Sequence, residues 1–344
     1  MNIVHIIYSF NIGGAETMLV DIINRQVDNN DVSLIIVNDS YDRDLLSRVN
    51  NDVKIILIGR RPSSTSISSI IKLNYELFKI NPDIIHLHSY TLPKMVLFKS
   101  KKIWYTAHDL NIPMTYAKHL SGIIAISEAV KNDIISRCNI KTYTIPNGID
   151  TSSVHVKEKW ITSGSFKIIQ VARIEHDKKG QDILIKAIKV LKDDMGIDDV
   201  SVDFIGTGAS EDYLRELSGK LGVENQINFK GLCDREYIYN HLKDYDLMCH
   251  PARYEGFGLT VAEGMAAKLP VLVPMTGGPW EIVGEGKYGI GFRPEDHKDC
   301  AEKILKIKAE YSNLLPIIES GYNHVIDKYS IDRMVHDYLD AYNY

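Results

Sequence analysis

The sequence predicts an α/β protein made of two doubly wound parallel-sheet domains with a cleft between them. Two observations lead to this prediction: short apolar runs alternate with longer amphipathic stretches, and the alternation restarts about halfway along the 344 residues. Runs that are apolar throughout are typical of strands covered on both faces, as in a parallel sheet. Repeated strand–helix units imply right-handed crossovers, so each series is expected to form one Rossmann-like sheet.

The composition excludes several other classes of protein. A chain of 344 residues with 44% hydrophobic and 25% charged residues is expected to fold as two globular domains. Its net charge of −5 argues against a general nucleic-acid-binding protein. The four cysteines form no CxxC pair, which fits a reducing cytosol better than a disulfide framework or a zinc site. The sequence shows neither a signal peptide nor an apolar run of membrane-spanning length, so we expect a cytoplasmic protein.

The first domain is expected over residues 1–158. Helices are predicted at Glu16–Val27 and Ile67–Ile80, and Pro82 stops the second of them before the next strand. The strands of this domain are predicted at Ile3–Tyr8, Ser33–Val37, Lys54–Ile58, Asp83–His88, Ile103–Ala107 and Gly122–Ile126.

The second domain is expected over residues 159–325, following a polar linker at Thr151–Ser165. Helices are predicted at Gln181–Lys192 and Glu211–Leu221, and a last helix, within residues 326–344, from about Ile331 to Tyr342. The strands are predicted at Lys167–Val171, Val202–Ile205, Ile227–Phe229, Leu247–His250 and Val271–Val273.

Sheets of this type bind ligands at the carboxyl ends of their strands, and the first such loop contains Gly13 and Gly14. Two glycines let the backbone approach a ligand, and the following helix offers free N–H groups to a phosphate or a sugar oxygen. The alternative is a tight strand-to-helix turn that needs positive φ. The loop does not match G-x-G-x-x-G, which disfavours a nicotinamide cofactor.

Histidines mark two other strand ends in the first domain. His108 follows a predicted strand, where it can hydrogen-bond a substrate hydroxyl or accept a proton. The alternative is a histidine satisfied by neighbouring backbone. His86 and His88 resemble a metal-binding pair, but no third ligand is close in sequence, so we favour a structural role for both.

Basic residues and glycines follow two strands of the second domain. Arg173 ends one strand and Lys179 precedes a helix, so together they can neutralise a diphosphate. Surface charges in loops are common, and a solvated loop is the alternative. Gly206 and Gly208 follow the next strand and supply another loop that permits close approach.

The strongest signal is a segment with two carboxylates eight residues apart, Glu255 and Glu263. A Gly-Phe-Gly turn separates them and leads into a helix that starts at Leu259 or Thr260. The turn exposes backbone N–H groups suited to phosphate, and carboxylates accept hydrogen bonds from sugar and ribose hydroxyls. Paired carboxylates also occur in glycoside hydrolases, but hydrolases need no phosphate cradle.

Taken in order, these motifs resemble glycosyltransferase family 4, whose members have the GT-B fold. The resemblance covers nearly the whole chain, and its most specific part is the E-x7-E pair. Gly264 and Lys268 depart from the common pattern, which has alanine and glycine there. The matching residues are Gly13, Gly14, His108, the stretch Ile145–Asp150, Arg173, Lys179, Gly180, Gly206, Thr207, Gly208, Glu255 and Glu263.

The resemblance implies a role for each donor-site residue. Arg173 and Lys179 would hold the donor diphosphate in place of a metal ion, and Glu263 would bind the ribose hydroxyls. Glu255 would hold the donor sugar together with the backbone of Gly256, Phe257 and Gly258 and the following Leu259. No metal and no bound cofactor are expected.

The resemblance also implies roles for the first domain and a reaction. Gly14, next to Gly13, would approach the diphosphate, His108 would contact sugar hydroxyls, and the last helix would pack back on the first domain. The reaction would be retaining transfer of a hexosyl or N-acetylhexosaminyl group from a UDP-linked sugar. A basic cluster in the first domain, given below, favours a lipid-linked glycan of a surface polysaccharide, such as capsule or O-antigen, as the acceptor, and a soluble small acceptor is the alternative. The alternatives are a nucleotide-sugar epimerase of the same fold and a non-catalytic scaffold subunit.

Two acidic stretches and one basic cluster raise the questions of metal binding and of membrane contact. The D-x-D stretches Asp42–Asp44 and Asp244–Asp246 would suit a metal-dependent transferase, but neither ends a strand in the required domain. A basic and apolar cluster in the first domain suits an anionic surface on the inner face of the cell membrane, and the alternative is a solvated helix end. The cluster consists of Lys94, Leu97, Phe98, Lys99, Lys101, Lys102 and Trp104.

Overall fold

The computed structural model describes residues 1–97, 102–161 and 164–343. Contacts divide the chain into two units, here called the N-terminal and C-terminal units. The N-terminal unit contains Met1–Gly148 and the segment from Ile331 onward, and the C-terminal unit contains Ile149–Ser330. The sequence-based boundary after residue 158 lies further along the chain than this division.

The N-terminal unit is built on a seven-stranded sheet in the order β3-β2-β1-β4-β5-β6-β7. All neighbouring strands are parallel. The central strands read as continuous apolar runs because helices cover both faces of the sheet. The strands are β1 (Asn2–Ile7), β2 (Asp31–Asn38), β3 (Lys54–Arg60), β4 (Ile84–Leu87), β5 (Lys102–Ala107), β6 (Gly122–Ala125) and β7 (Thr142–Thr144).

Among the residues described in this unit, four α-helices connect the strands: α1 (Gly14–Gln26), α2 (Arg43–Ser47), α3 (Ile67–Ile80) and α4 (Glu128–Arg137). The predicted helix over Ile67–Ile80 is confirmed at both ends. Ser66 caps its N-terminus by accepting a hydrogen bond from the backbone N–H of Ser68. Asn81 takes the left-handed conformation at its C-terminus, with φ of 49°, immediately before Pro82.

The C-terminal unit repeats the strand order in a six-stranded parallel sheet, β10-β9-β8-β11-β12-β13. Its core packs Phe166, Phe204 and Leu247 of the central strands against Leu184 and Ile188. The strands are β8 (Phe166–Val171), β9 (Val200–Ile205), β10 (Ile227–Gly231), β11 (Leu247–Cys249), β12 (Val271–Pro274) and β13 (Ile290–Phe292).

The described part of the C-terminal unit, residues 149–161 and 164–330, contains eight α-helices. The long helices bury one apolar face on the sheet, as the amphipathic pattern of the sequence predicts. They are α5 (His176–Lys179), α6 (Gln181–Asp193), α7 (Glu211–Lys220), α8 (Arg235–His241), α9 (Leu259–Ala266), α10 (Gly277–Ile282), α11 (His297–Ala309) and α12 (Leu315–Lys328).

The last helix, α13 (Ile331–Asn343), belongs to the N-terminal unit although it follows the C-terminal unit in sequence. Its tyrosines are buried there. The Tyr342 hydroxyl lies 2.6 Å from Nδ1 of His86, and the Tyr338 hydroxyl lies 3.0 Å from Oγ1 of Thr106. Hydrogen bonds to β4 and β5 therefore hold α13 in this unit.

Every predicted strand is present within two residues of its expected ends. The sequence analysis missed β7 and β13, each three residues long and at the edge of its sheet. Edge strands are covered less completely than central ones, so their residues lack the continuous apolar run that marks the others. Thr142–Thr144 is half-buried throughout.

Candidate active site

The loops after β8 and β9 pack against each other at the carboxyl edge of the C-terminal sheet. A Cβ atom on Gly206 would lie 2.1 Å from the carbonyl oxygen of Ala172, and one on Gly208 would lie 2.3 Å from that of Ile174. Gly206 also has a φ of +132°, which side chains rarely adopt. Contact between two loops of the protein thus already requires both glycines, and a ligand-binding role for them stays a prediction.

Gly180, between α5 and α6, allows the β8 loop to contact the segment after β11. A Cβ atom there would lie 1.9 Å from the carbonyl oxygen of Pro251, and φ is +66°. The approach brings α5 against the segment that carries Glu255. The backbone N–H of Arg253 donates to the carbonyl of Lys178 at 2.8 Å, which fixes the contact.

We expect Gly180→Ala to destabilise the protein more than Gly196→Ala. Gly196 also has positive φ, at +69°, but no atom lies within 4 Å of its Cβ position. Left-handed strain of about 1–2 kcal/mol is common to both, whereas the collision with Pro251 adds about 2 kcal/mol or more. Urea unfolding of the two variants measures the difference. Equal losses of unfolding free energy in the two variants would show that the segment after β11 moves away from the new Cβ atom at no measurable cost.

Lys179 and Glu255 form an ion pair at the centre of these loops. The Lys179 Nζ donates to Glu255 Oε2 at 2.5 Å, and both side chains are about four-fifths buried, with exposures of 20% and 22%. His250 Nε2 lies 3.5 Å from the same oxygen. Burial alone would raise the pKa of Glu255, but His250 and Lys179 outweigh it and lower that pKa to about 2. The carboxylate is therefore ionised at neutral pH.

Arg173 presents a largely exposed guanidinium at the end of β8. Its side chain is 66% exposed and contacts Glu175 at 3.1 Å. Its backbone carbonyl accepts a hydrogen bond from the buried Gln181 at 2.9 Å. The backbone is fixed while the cationic end faces solvent, which suits a contact with an anion.

A second ion pair anchors the segment between β11 and α9. Arg253 donates through both terminal nitrogens to Asp182 at 2.7 and 3.1 Å, and Asp182 is only 3% exposed. Such a bidentate pair fixes direction as well as distance. On the other side, a Cβ atom on Gly278 would lie 2.5 Å from the carbonyl oxygen of Gly256. The loop that carries Glu255 is therefore supported from two directions.

Helix α9 starts at Leu259, one of the two starts predicted. Gly258 precedes it with φ of +103°, and no side chain caps the first turn. The backbone N–H of Val261 donates to the carbonyl of Gly258 at 2.9 Å, whereas no side chain caps the N–H groups of Leu259 and Thr260 before it. Such a helix start favours an anion. Glu263 lies further along this helix and accepts a hydrogen bond from the Tyr239 hydroxyl at 3.2 Å.

In the N-terminal unit the structure changes the interpretation of Gly13 and Gly14. The alternative of a tight turn with positive φ is wrong, because Gly13 is extended with φ of −167° and Gly14 begins α1. A Cβ atom on Gly14 would meet nothing within 4 Å, so the chain's own packing does not require this glycine. The helix start carries no side-chain cap.

His108 follows β5 with a buried imidazole nitrogen that lacks a partner. Among the described residues, its Nε2 is one of the buried polar atoms without a hydrogen bond. The alternative, in which neighbouring backbone groups satisfy the hydrogen-bonding capacity of His108, is therefore wrong for Nε2. Burial lowers the pKa of His108 to about 4, although Asp109 acts in the opposite direction, so the ring is neutral at pH 7. A neutral imidazole can donate to or accept from a hydroxyl.

The two histidines considered as a metal pair are part of a buried hydrogen-bonded cluster. His86 Nε2 lies 2.7 Å from Oγ1 of Thr106, and His88 Nε2 lies 3.0 Å from Nδ1 of His5. His5 in turn contacts Gln26 at 2.7 Å. This agrees with the structural role favoured for the pair.

The acidic stretches considered for metal binding have structural partners. Asp42 caps α2, and Asp246 pairs with Lys157 at 3.1 Å. Within the described ranges, one group has ligand atoms close enough for a metal ion, namely His336, Asp337 and Asp340 of α13. These side chains already pair with one another and with a neighbouring arginine, and they are largely exposed.

Lys94 and Lys102 of the basic cluster have exposed side chains. The Lys102 Nζ donates to the carbonyl of Tyr342 at 2.9 Å. Lys99 and Lys101, as well as Phe98, lie outside the described residues. None of the helices described is long and apolar enough to cross a bilayer.

Sequence reasoning missed two neighbours of the paired glutamates. His250 directly follows β11 and contacts Glu255, and its position just past a strand's carboxyl end is the same signal that identified His108. Tyr239 donates to Glu263 from α8, and no local pattern pointed to it. Only the packing of α8 near α9 brings that hydroxyl to the carboxylate.

Two parallel sheets that share the order 3-2-1-4-5-6, the first with a seventh strand at its edge, and glycine-containing loops at the strand ends define the GT-B fold. Residues 12–153 match the model of Glycosyltransferase Family 4, and residues 155–324 match that of Glycosyl transferases group 1. The chain belongs to glycosyltransferase family 4, among the group 1 glycosyl transferases.

Known proteins agree with this assignment. An uncharacterized glycosyltransferase of Methanocaldococcus jannaschii is 26% identical over 235 residues, which are 64% of this chain and 59% of that protein. The poly(ribitol-phosphate) alpha-N-acetylglucosaminyltransferase of Staphylococcus aureus is 24% identical over 232 residues, 66% of this chain and 45% of that one. The chain spans about half the length of the curated relatives it matches.

A solved structure shows the same fold along nearly the whole chain. Anabaena HepE, crystallised in complex with UDP and glucose, superposes with a TM-score of 0.81 and 20% sequence identity. The superposition covers 99% of each chain.

Proposed function

We propose that the protein is a retaining glycosyltransferase that moves a hexosyl or N-acetylhexosaminyl group from a UDP-linked sugar to an acceptor hydroxyl. The observation that supports this most strongly is the buried Lys179–Glu255 pair, at 2.5 Å, between the loops after β8 and β11. A cation and an ionised carboxylate held together offer both a partner for a diphosphate and an acceptor for sugar hydroxyls.

The donor would lie along the carboxyl edge of the C-terminal sheet. Arg173 and Lys179 bind the diphosphate, and the uncapped N-terminus of α9 adds backbone N–H groups. Glu255 holds the sugar, with the backbone of the 256–258 loop, and Glu263 takes the ribose hydroxyls. Anabaena HepE, which was crystallised with UDP and glucose, supports the choice of UDP.

As the glycosidic bond breaks, negative charge grows on the departing diphosphate and positive charge on the sugar ring. Arg173, Lys179 and the α9 N-terminus stabilise the leaving group without a metal ion. The departing phosphate accepts the proton of the attacking hydroxyl, which enters from the same face. His108, neutral and with Nε2 unpartnered, hydrogen-bonds a sugar hydroxyl near the reacting carbon.

A lipid-linked glycan used in surface polysaccharide assembly is our proposed acceptor, at the inner face of the cell membrane. The Staphylococcus aureus relative is named for a poly(ribitol-phosphate) acceptor, which is a polymer rather than a small molecule. The exposed Lys94 and Lys102 of the basic cluster support a peripheral contact with an anionic surface.

A screen of nucleotide sugars tests the proposed function directly. Purified protein in EDTA is mixed with UDP-, GDP- and ADP-linked sugars, and thermal unfolding and released nucleotide are recorded. A donor that binds raises the unfolding temperature by mass action, and slow hydrolysis identifies it as a substrate. If the protein converts the donor to its epimer when no acceptor is present, the protein is an epimerase and the proposed transfer reaction is wrong. Absence of binding to any donor would favour the scaffold alternative.

Arg173→Ala should lower donor turnover about 10²-fold, since one charge-assisted contact to the leaving group is lost. The exposed guanidinium contributes little to packing, so the unfolding temperature of the free protein should stay close to wild type. Steady-state release of nucleotide and thermal unfolding measure the two quantities. An unchanged turnover would exclude Arg173 from the site.

A further inference from the structure

Helix α3 carries an exposed apolar stripe along its whole length. Ile67, Ile71, Tyr75 and Phe78 are 69%, 64%, 59% and 71% exposed. At 100° per residue these four positions fall within about 80° of one another around the helix axis. They therefore form one continuous apolar face. Single exposed apolar side chains are common on protein surfaces, but a continuous row of four is not a set of such single residues.

Folding of the N-terminal unit does not account for this stripe. The same helix buries Leu73 and Leu77 completely, and those positions lie on a different side of the helix. A surface helix of a globular protein normally has a single apolar face directed at the core. Helix α3 has a second apolar face, and its polar side chains, including Lys72 and Glu76, occupy the sector between the two.

Neighbouring segments extend the apolar surface and are fixed to α3 by hydrogen bonds. The Leu97 side chain is 65% exposed, and its backbone N–H donates to Asn74 Oδ1 at 2.8 Å. Asn74 Nδ2 donates to the carbonyl of Met95 at 2.7 Å. On the other side, Lys72 Nζ donates to the carbonyl of Leu57, on the edge strand β3, at 3.1 Å. The Leu57 side chain is 39% exposed.

Basic residues outnumber acidic ones in the described sequence on either side of the stripe. Residues 54–97 contain six Lys and Arg against two Asp and Glu, in a chain whose net charge is −5. One of the two acids, Glu76, already pairs with Lys79 at 3.1 Å. Lys54, Arg61 and Lys94 have exposed side chains. Excess positive charge beside exposed apolar groups complements an anionic lipid surface, whose headgroups and acyl chains offer both partners.

We propose that α3 lies in the plane of an anionic bilayer, with Ile67, Ile71, Tyr75 and Phe78 inserted among the lipids. A helix of 14 residues is about 21 Å long and would rest with its apolar face about 5–10 Å below the headgroup boundary. The flanking cations contact lipid phosphates. This surface shares Lys94 and Leu97 with the basic cluster, but a helix face supplies most of its apolar contact. It adds to the proposed membrane contact and does not depend on the proposed sugar transfer.

Vesicle flotation of the full chain tests the proposal. Wild-type protein should float with phosphatidylglycerol vesicles at 0.1 M salt, and less with phosphatidylcholine vesicles or at 0.5 M salt, since screening weakens the electrostatic part. The double variant Ile71→Asp/Phe78→Asp should bind vesicles at least about tenfold more weakly, because two large apolar side chains no longer insert. Both positions are exposed, so thermal unfolding of the variant should match wild type.

A control for a single added charge is Leu232→Asp, which replaces one exposed apolar side chain, 72% exposed, by aspartate on the C-terminal unit. It should float like wild type. Flotation of the folded double variant at the wild-type level, or no flotation of wild type, would overturn the proposal. A second copy of the chain is the other partner that could cover the stripe, and sedimentation velocity tests for it. If the wild type forms a dimer that the double variant abolishes, and neither binds vesicles, the stripe is a dimer contact and the proposal is overturned.

Discussion

Lys179→Met is expected to lower nucleotide-sugar turnover about 10³-fold, more than the loss of the exposed Arg173. The substitution removes a cation from the proposed diphosphate site. It also leaves Glu255, whose pKa is lowered to about 2 and whose side chain is 22% exposed, without its closest partner. Removing one member of a mostly buried pair costs about 3 kcal/mol of stability, so turnover and unfolding should both change.

A double variant separates the two consequences. Glu255→Gln in the Lys179→Met background removes the unpaired charge, so most of the lost stability should return. Turnover should not return, because both proposed donor contacts are then absent. Recovery of turnover together with stability would make the pair purely structural. Lys189→Met is the control, since it breaks an exposed ion pair with Asp193 on α6 and should leave turnover unchanged.

Acid should unfold the N-terminal unit before the C-terminal unit. Burial lowers the pKa of His5 and of His108 to about 4, against opposing effects of Gln26 and Asp109. Burial, followed by the neighbouring histidines, lowers the pKa of His86 and His88 well below the usual range.

Proton uptake by these histidines determines whether acid raises or lowers the stability of the N-terminal unit. Each ring binds a proton near pH 6.5 when unfolded but only near pH 4 or below when folded, so acid favours the unfolded chain. The stability from the neutral rings is full above about pH 6.5 and falls as the pH decreases toward 4. For His5 and His108 the loss at pH 5 is about 2 kcal/mol each.

Hydrogen exchange at pH 7 and pH 5, corrected for intrinsic exchange rates, measures this effect. Peptides from β1 and β4 should lose protection at pH 5, whereas β8 and β9 serve as an internal reference. His5→Gln keeps a polar side chain but cannot titrate, so it should remove about 2 kcal/mol of the pH dependence. His119→Gln, at an exposed side chain, should not. Equal loss of protection in both units would contradict the prediction.

Much of the fold follows from local patterns that the tertiary structure does not change. Buried parallel strands require continuous apolar runs, so β1 and β8 are evident from sequence. Capping groups and a following proline determine where α3 ends, so its bounds are predicted to the residue. The start of α9 is predicted to within one residue, at Leu259 or Thr260 after the Gly-Phe-Gly turn, and the helix begins at Leu259. The order of strand-end motifs indicated glycosyltransferase family 4.

Partners far apart in sequence are decided only by the tertiary structure. The sequence identified Lys179 and Glu255 separately, but their hydrogen bond depends on the approach of the β8 and β11 loops, which Gly180 permits. Gly206 suggested a ligand contact, whereas packing against the Ala172 carbonyl already requires it. His86 meets Tyr342 because α13 returns to the N-terminal unit.

The exposed apolar stripe of α3 also combines a feature that the sequence predicts with one that only the tertiary structure decides. Its spacing of apolar residues is plain in the sequence, but an apolar face normally indicates the side of a helix that packs on the core. Leu73 and Leu77 occupy that side, and the structure alone shows that Ile71 and Phe78 do not. The sequence by itself determined the covered strands, several of the long helices, the family and the chemistry available to the site. The tertiary structure decided which groups meet and which stay exposed, because contacts between distant segments depend on how elements pack and not on local periodicity.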